Sequence, residues 1–117
     1  MSSPLIHFEV AGRDPKALQS FFGELFGWKI NADNPMNYGM ADVGSGDVAG
    51  GIGPAPEGDG NGHAMFYVGV EDVEASLQKA ESLGGKRIFG PMEVPDGPTI
   101  AHFADPEGHL VGLFARM

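Results

Sequence analysis

The chain has 117 residues, of which 42% are hydrophobic and 20% are charged, a composition typical of one globular domain with its own core. Its formal net charge of −9 and its seven scattered Lys and Arg residues disfavour binding to nucleic acid. It contains no cysteine, so disulfides, thiolate metal sites and cysteine nucleophiles are excluded.

The first predicted element is a strand over residues 5–11. Ile6, Phe8 and Val10 alternate with His7 and Glu9, which is typical of a strand that is buried on one face. We expect the apolar side chains to face the helices and the two polar ones to face away from them.

The helix that follows is marked at both ends. Asp14 is the predicted N-cap and Pro15 the first helical residue, and Gly27 is predicted to end the helix in a left-handed conformation. Between them, apolar residues repeat at helical spacing: Leu18, Phe21, Phe22, Leu25 and Phe26. The phenylalanines among them are predicted to belong to the core. Strands are then predicted over residues 28–30, 37–43 and 48–52, with a turn over residues 44–47.

The second half of the chain repeats this order after a segment rich in Gly and Pro. Residues 54–62 have no periodicity and are predicted to be a linker. A strand over 64–70, the N-cap Asp72 and a helix over 73–83 follow. A strand over 87–89, a loop over 90–98 and strands over 99–104 and 110–115 complete the half. We therefore divide one domain of residues 1–117 into a module of about 4–53, a linker of about 54–62 and a module of about 63–117.

The two halves also share residues at a constant offset. Asp14 and Asp72 lie 58 positions apart, as do Asp47 and Asp105, which close the two modules. The same offset relates Phe8 to Phe66, Val10 to Val68, Ala17 to Ala75, Leu25 to Leu83, Gly27 to Gly85, Ile30 to Ile88 and Gly50 to Gly108. Two copies are too few for a solenoid and indicate a duplicated half-domain, with a site expected between the halves.

Four segments carry a family resemblance: His7-Phe8-Glu9-Val10 ahead of Asp14, Phe22-x-x-Leu25-Phe26-Gly27-Trp28, Val70-Glu71-Asp72-Val73 with Ala75, and Phe103-Ala104-Asp105-Pro106-Glu107-Gly108. They resemble the vicinal oxygen chelate superfamily, which includes glyoxalase I, bleomycin-resistance proteins and extradiol dioxygenases. The resemblance implies an α+β fold in which two tandem βαβββ modules form a curved, cup-shaped mixed sheet with the helices on its outer face. It also implies a divalent metal, held by one ligand from the first and one from the last strand of each module.

The positions that match the family's metal ligands are mostly unsuited to that role. His7 is a competent donor, but Met65 is a poor ligand for a divalent metal of this kind. Gly112 has no side chain to offer, and the remaining position falls at Gly53 or Pro54. A catalytic site needs about three protein ligands, so we expect no metal cofactor.

An unusual metal site is the alternative to this expectation. His63, His102 and His109 could join His7 in such a site, although the sequence holds no close pair such as H-x-H. For each of them the competing interpretation is an ordinary surface or hydrogen-bonded histidine.

Strand alternation predicts which side chains would line the cup. The predicted ligand-binding residues are His7, Glu9, Met65, Tyr67, His102, Leu110, Gly112 and Phe114, while Val111 and Leu113 are predicted to face the helices. We expect Gly112 to leave open space where a metal ligand would stand in the family. The alternative for Met65 and Tyr67 is that they are ordinary core residues. His7 and Glu9 are candidates for an acid–base pair or for a structural hydrogen bond.

These residues predict a glyoxalase/bleomycin-resistance-like protein that binds a small hydrophobic or aromatic molecule without the family's metal centre. The alternative is an enzyme, a glyoxalase-like lyase or isomerase or a dioxygenase, that uses a non-standard metal site or the His7–Glu9 pair. A third hypothesis is an assembly module without a ligand. We expect a homodimer that binds neither nucleic acid nor a membrane. A cytoplasmic location is expected because no apolar run approaches the roughly 20 residues that cross a bilayer and no signal peptide is evident.

Overall fold

The computed structural model describes residues 3–44, 46 and 48–115. Its elements follow the order βαβββ twice, which confirms the predicted α+β class with two tandem modules. The chain divides into two compact units, the first of residues 6–65 and the second of residues up to Leu5 together with Phe66 onwards. Asp47, predicted to close the first module, lies outside the described residues, as does part of the predicted turn over residues 44–47.

The first unit contains one helix and a set of mixed strands. Its elements are β1 (Leu5–Gly12), whose first residue belongs to the second unit, α1 (Pro15–Phe26), β2 (Lys29–Asn31), β3 (Gly39–Asp42) and β4 (Ala49–Pro54). The strand order is β2-β3-β4-β1, with β1 parallel to β4 and β3 antiparallel to both of its neighbours. Phe8 packs against Trp28, with ring centroids 5.3 Å apart, on the face of the sheet that carries α1. The predicted orientation of β1 is therefore correct.

Both predicted caps of α1 are confirmed. The Asp14 carboxylate accepts a hydrogen bond of 3.1 Å from the backbone N–H of Ala17. Gly27 ends the helix at φ 72°, a left-handed conformation that glycine adopts without steric cost.

The prediction that the phenylalanines of α1 belong to the core is wrong for Phe21 and Phe26. No residue of this helix is fully buried, and Phe21, Leu25 and Phe26 are 58%, 58% and 56% exposed. The five apolar side chains span a wider arc of the helix than the arc that meets the sheet. Only the side of Leu18 and Phe22 points inward, so the rest of the stripe lies at the surface.

The second unit repeats the arrangement with a better-buried helix. Its elements are β5 (His63–Gly69), whose first three residues belong to the first unit, α2 (Val73–Ser82), β6 (Lys86–Glu93), β7 (Thr99–Ala104) and β8 (Leu110–Ala115). The strand order is β5-β8-β7-β6. Five buried side chains form its core: Val73, Leu77, Ala101, Leu113 and Ala115. Leu113 therefore faces α2, as predicted.

Strand β6 is longer than predicted. The sequence predicts a loop from residue 90, but the strand continues through Pro91 to Glu93. β6 lies at the edge of its unit, and Pro91 falls between two paired residues, Phe89 and Met92, where the ladder is irregular; proline is tolerated in strands at such positions. The pairing of β6 with β7 shifts register twice, between Arg87 and Phe89 and between Phe89 and Met92, and these shifts accommodate the proline.

Arg87 of β6 also holds this strand to α2. Its guanidinium donates to both carboxylate oxygens of Glu74, at 2.9 and 2.6 Å, and these bonds lower the pKa of Glu74 to about 2. Neither helix in the described part of the chain has the length and apolar character needed to cross a membrane.

Candidate functional site

A chain of hydrogen bonds links polar side chains of the first unit. The Nε2 atom of His7 lies 3.3 Å from the hydroxyl oxygen of Tyr38, and this hydroxyl donates a 3.2 Å hydrogen bond to Oε1 of Glu9. His7 and Glu9 lie on the face of β1 opposite to Phe8, because side chains alternate along a strand. The predicted His7–Glu9 pair is therefore joined through a tyrosine that the sequence analysis did not identify.

The ring of Tyr38 lies over two glycines of β4. Gly51 is the register partner of Glu9, and Gly53 is the register partner of Ala11. A methyl group on Gly51 would overlap the Tyr38 ring, and one on Gly53 would lie 2.6 Å from its Cδ1 atom. Glycine at both positions therefore makes room for the ring on this face.

The loop before β3 holds Tyr38 in place. Oδ1 of Asn34 accepts a 3.0 Å hydrogen bond from the Tyr38 N–H, and Nδ2 of Asn34 donates one of 2.6 Å to the Tyr38 carbonyl. Met40, two residues later, pairs with Gly51 and shares the Tyr38 face, where it is 47% exposed. We call His7, Glu9, Tyr38 and Met40 the tyrosine face.

Glu9 is also held from the other side by His63. Nε2 of His63 lies 2.7 Å from Oε2 of Glu9, and Nδ1 lies 2.6 Å from Oδ2 of Asp59, which belongs to the linker. The His63 and Glu9 side chains are only 14% and 17% exposed. Because both ring nitrogens meet a carboxylate, His63 is suited to the doubly protonated form. We call these three residues the His63 clamp.

The two histidines differ in protonation. Partial burial alone would lower the pKa of His63, but the hydrogen bonds to Glu9 and Asp59 outweigh it and hold this pKa above the ordinary value of 6.5. Burial lowers the pKa of His7 below 6.5, against the raising effect of the Glu9 charge. At neutral pH, His7 is therefore uncharged, and its Nε2–H can donate to the Tyr38 oxygen while Tyr38 donates to Glu9.

The second unit carries a related arrangement. Tyr67 and His102 are both register partners of Gly112, on either side of β8, and the Tyr67 hydroxyl lies 2.8 Å from Nε2 of His102. Phe89 of β6 packs on His102, with ring centroids 5.2 Å apart. A tyrosine ring beside a histidine thus covers a glycine of the last strand in both units.

The expectation that Gly112 leaves open space is wrong. A methyl group at Gly112 would overlap the ring of Tyr67, so the aromatic side chain already occupies the place next to this glycine. The sequence showed the missing side chain at Gly112, but it did not show which neighbour turns towards it.

The remaining predicted site residues fall into the two units. Met65, in the first unit, is 6% exposed. Leu110 and Phe114, in the second, share the Gly112 face of β8 by alternation and are partly buried. His109 lies in the turn after Asp105, 3.0 Å from the Asp105 carboxylate and 74% exposed, which agrees with the ordinary surface alternative. That all these residues serve one ligand stays a prediction.

The residues present do not fit the four-ligand metal set of the family. The strand registers correct one position: Gly51, opposite Glu9, corresponds to Gly112, opposite Tyr67, in place of the predicted Gly53 or Pro54. Neither Gly51 nor Gly112 has a side chain. Within residues 3–44, 46 and 48–115, no group of three or more His, Asp or Glu side chains is placed to hold a metal ion.

Four contributors to these clusters were missed by the sequence analysis, namely Tyr38, Met40, Asp59 and Phe89. A signal for Tyr38 was present, because Gly51 and Gly53 alternate on the same face as Glu9 and imply a large side chain lying over them. Asp59 and Phe89 left no such signal. The conformation of a loop brings Asp59 to His63, and an irregular edge strand brings Phe89 to His102.

Comparison with known proteins adds a family match. The family model described as "Glyoxalase/Bleomycin resistance protein/Dioxygenase superfamily" matches residues 5–113. CFP32 of Mycobacterium bovis, which carries a glyoxylase name, is 31% identical over 109 residues. The match covers 86% of this chain and 41% of CFP32, so the chain spans about two fifths of the length of that relative.

Solved structures share the fold at low identity. A hypothetical protein from Bacillus halodurans C-125 is similar with a TM-score of 0.72 at 20% identity, covering 100% of this chain and 96% of that one. Methylmalonyl-CoA epimerase from Mycobacterium tuberculosis is similar with a TM-score of 0.70 at 14% identity, covering 97% and 87%. At these identities the likeness shows the fold.

Proposed function

We propose that this chain, which belongs to the Glyoxalase/Bleomycin resistance protein/Dioxygenase superfamily, binds a small hydrophobic or aromatic molecule without the metal centre of its family. The observation that carries the proposal is the position of Tyr38, whose ring lies over Gly51 while its hydroxyl lies between His7 and Glu9. One face of β1 and β4 thus combines an aromatic ring with a few polar groups, the composition of a small-molecule site.

The tyrosine face suits a ligand with both apolar and polar parts. Tyr38 and the half-exposed Met40 supply apolar contact, and a thioether adapts to ligands of different shape. The uncharged His7 adds a polar group that carries no net charge. Glu9 is held by Tyr38 and His63, so its orientation does not have to be fixed when a ligand binds.

The absence of a metal centre is supported by the ligand positions themselves. Of the four, only His7 carries a good donor for a divalent metal, since Gly51 and Gly112 lack side chains and Met65 carries a thioether. His7 already contacts Tyr38, which competes with a metal for its Nε2 atom.

The charge of the chain argues against ligands that carry several phosphates. Residues 6–65 contain eight acidic residues against three basic ones, and the whole chain has a net charge of −9. The solved epimerases include one in complex with methylmalonyl-CoA, a phosphate-bearing molecule. We expect this chain to disfavour such a ligand, because its field repels polyanions.

One observation favours the alternative that the chain is an enzyme. Tyr38 joins His7 and Glu9 into a path along which a proton can move from one end to the other. His7 and Glu9 would be the acid–base pair of such an enzyme, which would be a glyoxalase-like lyase or isomerase, or a dioxygenase. A non-standard metal site built from His63, His102 and His109 with His7 is the weaker form of the alternative, because His63 and His109 are bonded to carboxylates of their own.

A two-step experiment tests the proposal. Elemental analysis of protein purified without added metal should show no stoichiometric Ni, Zn, Fe or Mn. A thermal-shift screen of small aromatic and polyketide-like compounds, followed by calorimetric titration, should then give hits that weaken in Tyr38→Phe and Glu9→Gln. Glu107→Gln, which removes the same charge from an exposed turn, is the matched control. Stoichiometric metal that is lost in His7→Ala would contradict the metal-free part, and hits unaffected by Tyr38→Phe would contradict the site.

Two further properties belong to the same proposal. We propose a homodimer as the state in solution, because proteins of this superfamily often form dimers and the twofold dimer is the commonest assembly of soluble proteins. We also propose a cytoplasmic location, consistent with a chain that has no cysteine.

A further inference from the structure

Helix α1 presents an apolar surface that nothing in its own unit covers. Phe21 and Leu25, one turn apart on the helix, are each 58% exposed, and Phe26 is 56% exposed. Phe21 and Phe26 both contact Phe22, whose own ring stacks on Trp28 at 5.9 Å. The exposed rings of Phe21 and Phe26 thus pack on other aromatic side chains, which restricts their rotamers and lowers the conformational entropy lost when a partner covers them.

The second module does not repeat this surface. At the offset of 58 residues, Phe21 corresponds to Lys79 and Phe26 to Gly84, and only Leu25 has an apolar counterpart, Leu83. Since the two helices otherwise have matching N-caps, an apolar α1 is not a requirement of the fold. A function specific to α1 is the simplest reason for Phe21.

The charges beside this surface are arranged so that the helix is complementary to a second copy of itself. Lys16, Ser20 and Glu24 are exposed and follow one another at intervals of four residues, so they form one row next to Phe21 and Leu25. When two such rows pair antiparallel about Ser20, each Lys16 meets the Glu24 of the other copy, and small side chains meet at the centre. A twofold contact of this kind is closed and self-complementary.

We propose that the exposed face of α1, centred on Ser20, Phe21 and Leu25, is the contact surface between two copies of this chain. The inference rests on the proposed homodimer and names the surface that forms it. Phe21 and Leu25 supply the apolar anchors, as large side chains near the centre of an interface usually do. Lys16 and Glu24 set the antiparallel direction, because a parallel pairing would place like charges together.

The experiment compares oligomeric state by sedimentation equilibrium over about a hundredfold range of concentration. Wild type should dimerise, and Leu25→Glu should weaken the dimer at least about tenfold. Leu83→Glu is the matched control, because Leu83 is the equivalent residue of the second module and is 69% exposed. It should leave the dimer unchanged. Circular dichroism of each variant should confirm that the fold is retained.

A charge exchange tests the direction of pairing. Lys16→Glu and Glu24→Lys should each weaken the dimer by about two- to fivefold. The double variant K16E/E24K should restore it, since opposite charges would again face each other across the twofold axis with their signs exchanged. Failure of this rescue would overturn the antiparallel arrangement.

The outcomes separate this inference from the proposal on which it rests. A wild-type monomer at every concentration would overturn both the homodimer and its surface. A dimer that Leu25→Glu leaves intact, or that Leu83→Glu weakens equally, would overturn the α1 surface while the homodimer stands. A chain that stays monomeric alone and associates only with a different protein would overturn the proposed self-association.

Discussion

The ring of Tyr67 lies directly against Gly112, its register partner on the neighbouring strand. The ring of Tyr38 lies against Gly51 of the first unit in a similar way, although Tyr38 comes from the loop before β3, and the register partner of Gly51 on that strand is Met40. In each unit the last strand can therefore tolerate no side chain at this position unless the tyrosine moves. This places the two tyrosine hydroxyls beside His102 and His7, at 2.8 and 3.3 Å.

Replacing Gly112 tests this packing directly. Gly112→Ala should lower the free energy of unfolding by about 1–3 kcal/mol, because the new methyl group displaces the Tyr67 ring. Urea denaturation measures the change. Gly46→Ala is the control, since a methyl group there would lie within 4 Å of no atom of the described residues beyond its chain neighbours. Equal stability of Gly112→Ala and wild type would mean that the ring does not occupy this space.

Truncating Leu113 tests the other face of β8, because it would leave a cavity where Gly112→Ala adds a group. It is 5% exposed in the core of the second unit. Leu113→Ala should cost about 2–5 kcal/mol of unfolding free energy. Leu83→Ala, at a 69% exposed position, should change stability much less. A cost for Leu113→Ala as small as that of Leu83→Ala would contradict the assigned orientation of β8.

The two histidines of the first unit should respond to pH with opposite signs. The pKa of His63 is raised, so its stabilising effect is complete below pH 6.5 and is lost as the pH rises through the folded-state pKa. The pKa of His7 is lowered, so stability is lost as the pH falls below 6.5, where the unfolded chain takes up a proton first. The measurement is the unfolding free energy of wild type, His63→Gln and His7→Gln from pH 5 to about 8. His63→Gln should lack the loss of stability with rising pH, and His7→Gln should lack the loss of stability with falling pH.

Asp59 is expected to contribute to the raised pKa of His63. Asp59→Asn removes one of the two carboxylates that meet the imidazole ring, so the pKa of His63 should fall towards 6.5 without reaching that of His7. Titration followed by NMR of the imidazole protons measures it. Glu57→Gln changes an exposed residue of the same linker and should leave the pKa of His63 unchanged. A His63 pKa that responds equally to both substitutions would indicate a general effect of charge and not the clamp.

The sequence alone determined the order of elements and the orientation of the first and last strands. Alternation in β1 placed Phe8 opposite to His7 and Glu9, and Asp14 and Gly27 marked the ends of α1, because these features depend on neighbours within a few residues. The duplicated pattern predicted the two βαβββ modules for the same reason. The family resemblance pointed to the right superfamily from motifs of the same local kind.

Only the tertiary structure decided which side chains meet. Tyr38 reaches His7 and Glu9 across 31 and 29 residues, and His63 reaches Glu9 across 54, so no local pattern records these contacts. The exposure of Phe21 and Leu25 was also beyond the sequence, because periodicity shows that a stripe is apolar but not how much of it the sheet can cover. Local propensities act over one or two turns of chain, whereas the site depends on strand register and on the room that Gly51 and Gly112 leave for a distant ring.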